Sequence, residues 1–165
     1  MVGFSQPALA LTAVAACASA AHASGTVIHA NPTWAAIDRG GVCEARARAL
    51  RIAAKGKMQA IAGFAFSVDR RRWGEFHARL SRAPRPGSSV MLTVGTQQFL
   101  LVARGGWAWS RGPLQEQAMI EAARGASGMR IDARDAAGRR FVDRYLLAGA
   151  PTAIDAAAAR CARKG

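Results

Sequence analysis

Hydrophobic and polar residues alternate with a period of two along most of the chain beyond residue 33. That period places successive side chains on opposite faces of a strand. Trp34–Ile37 opens the pattern and Asp38-Arg39-Gly40-Gly41 turns it. In Val42–Leu50, Cys43, Ala45, Ala47 and Ala49 share one face, and Glu44, Arg46 and Arg48 share the other. The face of small residues is therefore predicted to point inward. Met58–Val68 is largely apolar, with Met58, Phe64, Phe66 and Val68 in one phase. Gly63 inside that run predicts a bulge or a close backbone approach. Asp69–Gly74 reads as a basic loop, and Glu75–Leu80 alternates again with Phe76, Ala78 and Leu80 inward. Val90–Val94 and Gln97–Val102 flank Gly95-Thr96 as a hairpin. Trp107-Ala108-Trp109 is a short aromatic strand, and Met129–Arg134 and Arg140–Leu146 flank a turn at Asp135–Gly138.

Two stretches change to helical spacing. Pro113 suits a first helical turn, with Ser110 or Gly112 as cap and Gly125 as terminator. Its inner side is predicted as Leu114, Ala118, Met119 and Ala122. A second helix follows Gly149, opened by Pro151 and Thr152, with Ile154, Ala157, Ala158 and Cys161 inward. The predicted fold is mainly β: an antiparallel β-sandwich or open barrel of about eight short strands with two short helices, one of them C-terminal. Residues 24–33 read as a flexible lead-in, and residues 34–165 as a single β-rich domain.

The N-terminal region differs in kind. Residues 4–21 are apolar and end in Ala21-His22-Ala23, a small-x-small site before Ser24. Residues 1–23 are thus predicted to be a secretory signal peptide, directing the protein to the periplasm or beyond. Val14-Ala15-Ala16-Cys17 also fits a lipobox, which would make Cys17 a lipidated first residue. Cleavage near Ser24 leaves Cys43 and Cys161, an even number in an oxidising compartment. They read as one disulfide, with two buried free thiols as the alternative.

Charge alters the functional picture more than composition does. The formal net charge is +13, and 20 of the 23 basic residues are arginines. Such a charge draws polyanions. Export makes nucleic acid an unexpected partner and leaves anionic envelope or host-surface polymers, peripheral membrane contact or a protein partner. Arg70, Arg71 and Arg72 with Trp73 are the candidate anion-binding residues. No cofactor is expected, and neither His29 nor His77 has the neighbours of a metal site. Glu75 and His77 share a strand face, but a nucleophile needs a paired base and an orienting group. Ser81, Ser88 and Ser89 lack any such context, so the chain is read as no enzyme. Trp107 and Trp109 lie on the same side and could form a stacking platform or pack.

The order of landmarks resembles the invasion-associated locus B family of exported proteobacterial proteins. Trp34 and Cys43 come first, followed by Ile61-Ala62-Gly63-Phe64-Ala65-Phe66 and the strand pair Val90–Leu101. Ala108-Trp109, Gly125 and Met129 follow, then Asp143, Tyr145, Leu147, Gly149 and Cys161. Leu146 stands where the family has Ser, Glu121-Ala122 where it has Ala-Met, and the Arg70–Trp73 loop is additional. The resemblance implies a β-rich exported fold with its two cysteines bonded and a link to host interaction, without a catalytic mechanism. The expected function is an envelope-associated binding protein acting through its basic surface. A periplasmic structural or stress-related factor that stabilises a partner is the alternative, and a hydrolytic enzyme ranks third.

Overall fold

The computed structural model describes Met1 and residues 25–165. The predicted signal peptide, its cleavage site and Cys17 lie outside the described residues, apart from Met1. Ten strands and two helices follow in order: β1 (Thr26–Ala30), β2 (Trp34–Asp38), β3 (Val42–Arg48), β4 (Ile61–Ser67), β5 (Trp73–Arg79), β6 (Val90–Val94), β7 (Gln97–Arg104), β8 (Trp107–Trp109), α1 (Pro113–Gly125), β9 (Gly128–Arg134), β10 (Arg140–Leu146) and α2 (Ala150–Ala162). All pairings are antiparallel, in one sheet ordered β1-β2-β3-β4-β5-β8-β7-β6-β9-β10. The sheet curls without closing into a barrel. Its last strands return towards its first: Leu50 N–H donates to Arg144 O at 2.8 Å, and Trp34 Nε1 donates to Leu146 O at 2.8 Å.

The small-residue face of β3 explains how α2 docks. Cys43, Ala45 and Ala47 are buried there, against Ala153, Ala157 and Cys161 of the helix. Small side chains on both partners let the backbones approach, and the disulfide Cys43–Cys161 forms with its Cα atoms 5.7 Å apart. Asp38 locks the far end of α2, accepting from Arg160 Nε at 2.7 Å and Lys164 Nζ at 2.9 Å. Hydrogen bonds from Lys164, Arg160 and the Gly40 N–H hold the Asp38 carboxyl far below the usual range. The core continues through Trp34, Phe64 and Phe76, whose rings pack at 6.4 and 5.4 Å, to Leu92, Ile131 and Tyr145 on the other half of the sheet.

Four expectations are corrected. The lead-in is ordered: Thr26–Ala30 pairs with β2, and Asn31 Oδ1 accepts from the Thr33 and Trp34 N–H groups to make the turn. β1 is mostly exposed, so its order comes from backbone pairing and not from an apolar stripe. Trp73 belongs to β5, not to the preceding loop, because it pairs with Phe66. Met58 is exposed outside the strand, which begins at Ile61. Leu114 faces solvent on α1, whose buried side is Glu116, Met119 and Ala123. Gly63 proves to be a close approach: a Cβ there would collide with the Ala45 carbonyl. The bulge lies between Ala65 and Phe66.

Candidate anion-binding surfaces

Arg70, Arg71 and Arg72 sit in a tight turn, built by two short side chains, that leads into Trp73 at the start of β5. Ser67 Oγ donates to Asp69 and accepts from Arg72 N–H at 3.0 Å, while Asp69 accepts from Arg71 N–H at 3.1 Å. Arg70 takes a left-handed backbone, φ 60°. Its guanidinium lies 3.9 Å from the Trp73 ring centroid, a cation–π contact, and Trp73 in turn packs edge-on against Phe66. Arg71 faces Asp69 at 3.6 Å and Arg72 faces Glu75 at 3.8 Å. The turn brings Arg70 and Trp73 together but sends the three arginines to three different partners.

Arg72 stands at the edge of a broader surface, the sheet face opposite the helices. Register makes Arg46, Gly63, His77 and Trp109 one row across β3, β4, β5 and β8. Arg48, Ile61, Arg79 and Trp107 form the next row on one side, and Glu44, Ala65 and Glu75 the row on the other. At its centre His77 Nε2 donates to Glu44 Oε1 at 2.8 Å, and Arg39 Nε donates to Oε2 at 3.0 Å, with Arg46 at 4.0 Å. Burial pushes the Glu44 carboxyl up, but the His77 hydrogen bond and charge, Arg39 and Arg46 outweigh it and hold it at about 2. Glu44 is therefore an ionised knot tying His77, Arg39 and Arg46, not a proton donor near neutrality. Trp107 and Trp109 stack beside it, centroids 6.3 Å apart. Among the described residues, no hydroxyl or thiol side chain lines this depression. Sequence reasoning paired His77 with Glu75 along one strand. The partner is Glu44, two strands away, and the shared outward phase of β3 and β5 was the signal for it.

A more basic concavity lies elsewhere, between the loop 50–59 and β10. It is a cleft of about 850 Å³ whose walls include Arg51, Lys57, Arg82, Arg140 and Arg144 and, among the described residues, no carboxylate. Arg82 is paired with Asp135 at 3.2 Å, and Arg140 with Asp132. Arg51, Lys57 and Arg144 have no ion-pair partner among the described residues. Gln59 fixes the loop from behind: its Oε1 accepts from Ala53 N–H at 2.9 Å, and its Nε2 donates to the Ala49 and Arg51 carbonyls at 3.2 and 3.1 Å. The Leu50–Arg144 backbone bond fastens the loop to the edge of β10. The cleft's cations are thus mounted on a braced loop and a strand.

Comparison with protein-family models, with curated proteins and with solved structures finds no match. Among the described residues no cluster of His, Cys, Asp or Glu is arranged to hold a metal ion, and no helix is long and apolar enough to cross a membrane.

Proposed function

We propose that the protein is an exported, envelope-associated binding module, similar to invasion-associated locus B proteins, that takes anionic ligands on the cleft beside loop 50–59. One observation carries the reading: Arg51 and Lys57 from loop 50–59 and Arg144 from β10 line one cleft that has no carboxylate in its walls among the described residues. Its volume of about 850 Å³ falls in the range of ligand sites. The net charge of +13 supplies long-range attraction for phosphate or carboxylate groups. The Cys43–Cys161 bond supports work in an oxidising compartment, since such bonds persist outside the reducing cytosol.

The test compares two triple variants, R51Q/K57Q/R144Q and R70Q/R71Q/R72Q, on long-chain polyphosphate at low and moderate salt. Both remove the same formal charge. The cleft variant is expected to bind roughly tenfold more weakly than the turn variant, with all affinities falling as salt rises. Equal losses in the two variants would reduce the cleft to generic polycation behaviour and refute the proposal.

A further inference from the structure

The cleft has a second property that a site for a soluble anion does not need. Loop 50–59 and the end of β10 expose large apolar side chains: Ile52 is 76 % exposed, Met58 61 %, Leu50 53 % and Leu146 44 %. They are neighbours. Ile52 and Met58 border the basic cleft; Leu50, Ile52 and Leu146 border a second hollow with Arg46 and Arg48; Leu50 and Leu146 border a third with Arg130 and Arg144. Among the described residues, none of these three hollows has an aspartate or glutamate in its walls.

We infer that this end of the molecule docks on the surface of an anionic lipid bilayer, with Ile52 and Met58 entering the headgroup boundary and the surrounding arginines and lysines meeting lipid phosphates. The inference rests on the cleft binding anions and names the surface that presents them. Charge complementarity selects the occupant. Protein–protein interfaces favour arginine and methionine but deplete lysine, and they pair their cations with a partner's acidic groups. Here the apolar side chains share their hollows with arginines and Lys57 and, among the described residues, with no carboxylate, a one-sided charge that an anionic lipid surface complements. A bilayer boundary satisfies both groups at once, because apolar side chains gain contact with the acyl region while long cationic ones keep their heads among phosphates. The loop is braced by Gln59 and by β10, so its apolar side chains are held ready with little ordering left to do on contact.

The experiment measures partitioning onto phosphatidylcholine vesicles with and without about a third phosphatidylglycerol, alongside binding to long-chain polyphosphate. Wild type, I52S/M58S and R51Q/K57Q/R144Q are compared, each checked for an unchanged unfolding midpoint. Wild type is expected on the anionic vesicles only. I52S/M58S is expected to bind them roughly tenfold more weakly or worse while keeping its polyphosphate affinity. Vesicle binding by I52S/M58S equal to wild type would overturn the inference, because attraction would then be charge alone. Wild type that binds polyphosphate but no vesicle would overturn it too, in favour of a soluble polymer. If R51Q/K57Q/R144Q binds polyphosphate as wild type does, the anion-binding reading itself fails, and the inference with it.

Discussion

Replacing Cys43 and Cys161 together by alanine tests how the two ends of the domain are held. The bond spans 118 residues of separation, from β3 to the last turn of α2. Cross-linking a loop of that length removes chain entropy from the unfolded state equivalent to about 5 kcal/mol, before any enthalpic offset. A domain of this size has a total stability of about 5–15 kcal/mol, so the bond is a large share of it. The native state should survive at neutral pH. α2 still buries Ala153, Ile154 and Ala157, and Arg160 and Lys164 still grip Asp38. Urea unfolding at pH 7, followed by far-ultraviolet dichroism, should show the variant about 3–5 kcal/mol less stable. Its dependence on urea should also be steeper, because an unfolded chain freed of the cross-link exposes more surface. A loss below about 1 kcal/mol with an unchanged slope would refute the reasoning, since the unfolded chain would then be no freer without the bond.

Three further outcomes follow from single side chains. Glu44 has its carboxyl lowered from 4.5 to about 2, so its stabilising effect is complete above pH 4.5 and is lost as pH falls towards 2; unfolding midpoints of E44Q should lie below wild type at pH 7 and converge with it in acid, and parallel curves would argue against the knot. Gly63→Ala should cost about 1–3 kcal/mol in thermal unfolding, because the added methyl meets the Ala45 carbonyl, and a neutral result would mean that β3 and β4 part easily. Tyr145 buries a hydroxyl with no hydrogen-bond partner among the described residues, so Tyr145→Phe should leave stability equal or raise it by up to about 1 kcal/mol; a loss of that size would reveal a bound water on Oη.

Strand phase was readable wherever one face is buried. The alternation of Val42–Arg48 matches the buried side of β3, and Cys161 lies on the inner stripe that α2 turns towards it. β1 was not readable, because it is mostly exposed, sets only Ile28 against the core, and is held by backbone bonds that leave no hydrophobic imprint. Leu114 misled for the converse reason: an apolar residue at helical spacing marks the core only if another element covers it. Among the cations, proximity in sequence was a poor guide to convergence. Arg70, Arg71 and Arg72 are consecutive in a turn and splay apart, whereas Arg51, Lys57 and Arg144 meet because the sheet curls until β10 reaches the loop after β3. Curl of that kind is a property of the whole sheet, and no local pattern encodes it.

An open sheet leaves two borders, and both are blunted. On β10 the Arg144 carbonyl is already taken by the Leu50 N–H, and Arg140 and Arg144 project charge from the strand. On β1 the register breaks between Val27 and His29, within a strand of five residues. Short, bulged or charged borders resist strand-by-strand growth into fibres. The start of loop 50–59 thus also occupies part of the β10 border: losing the Leu50 N–H contact would free the Arg144 carbonyl to pair with a second copy.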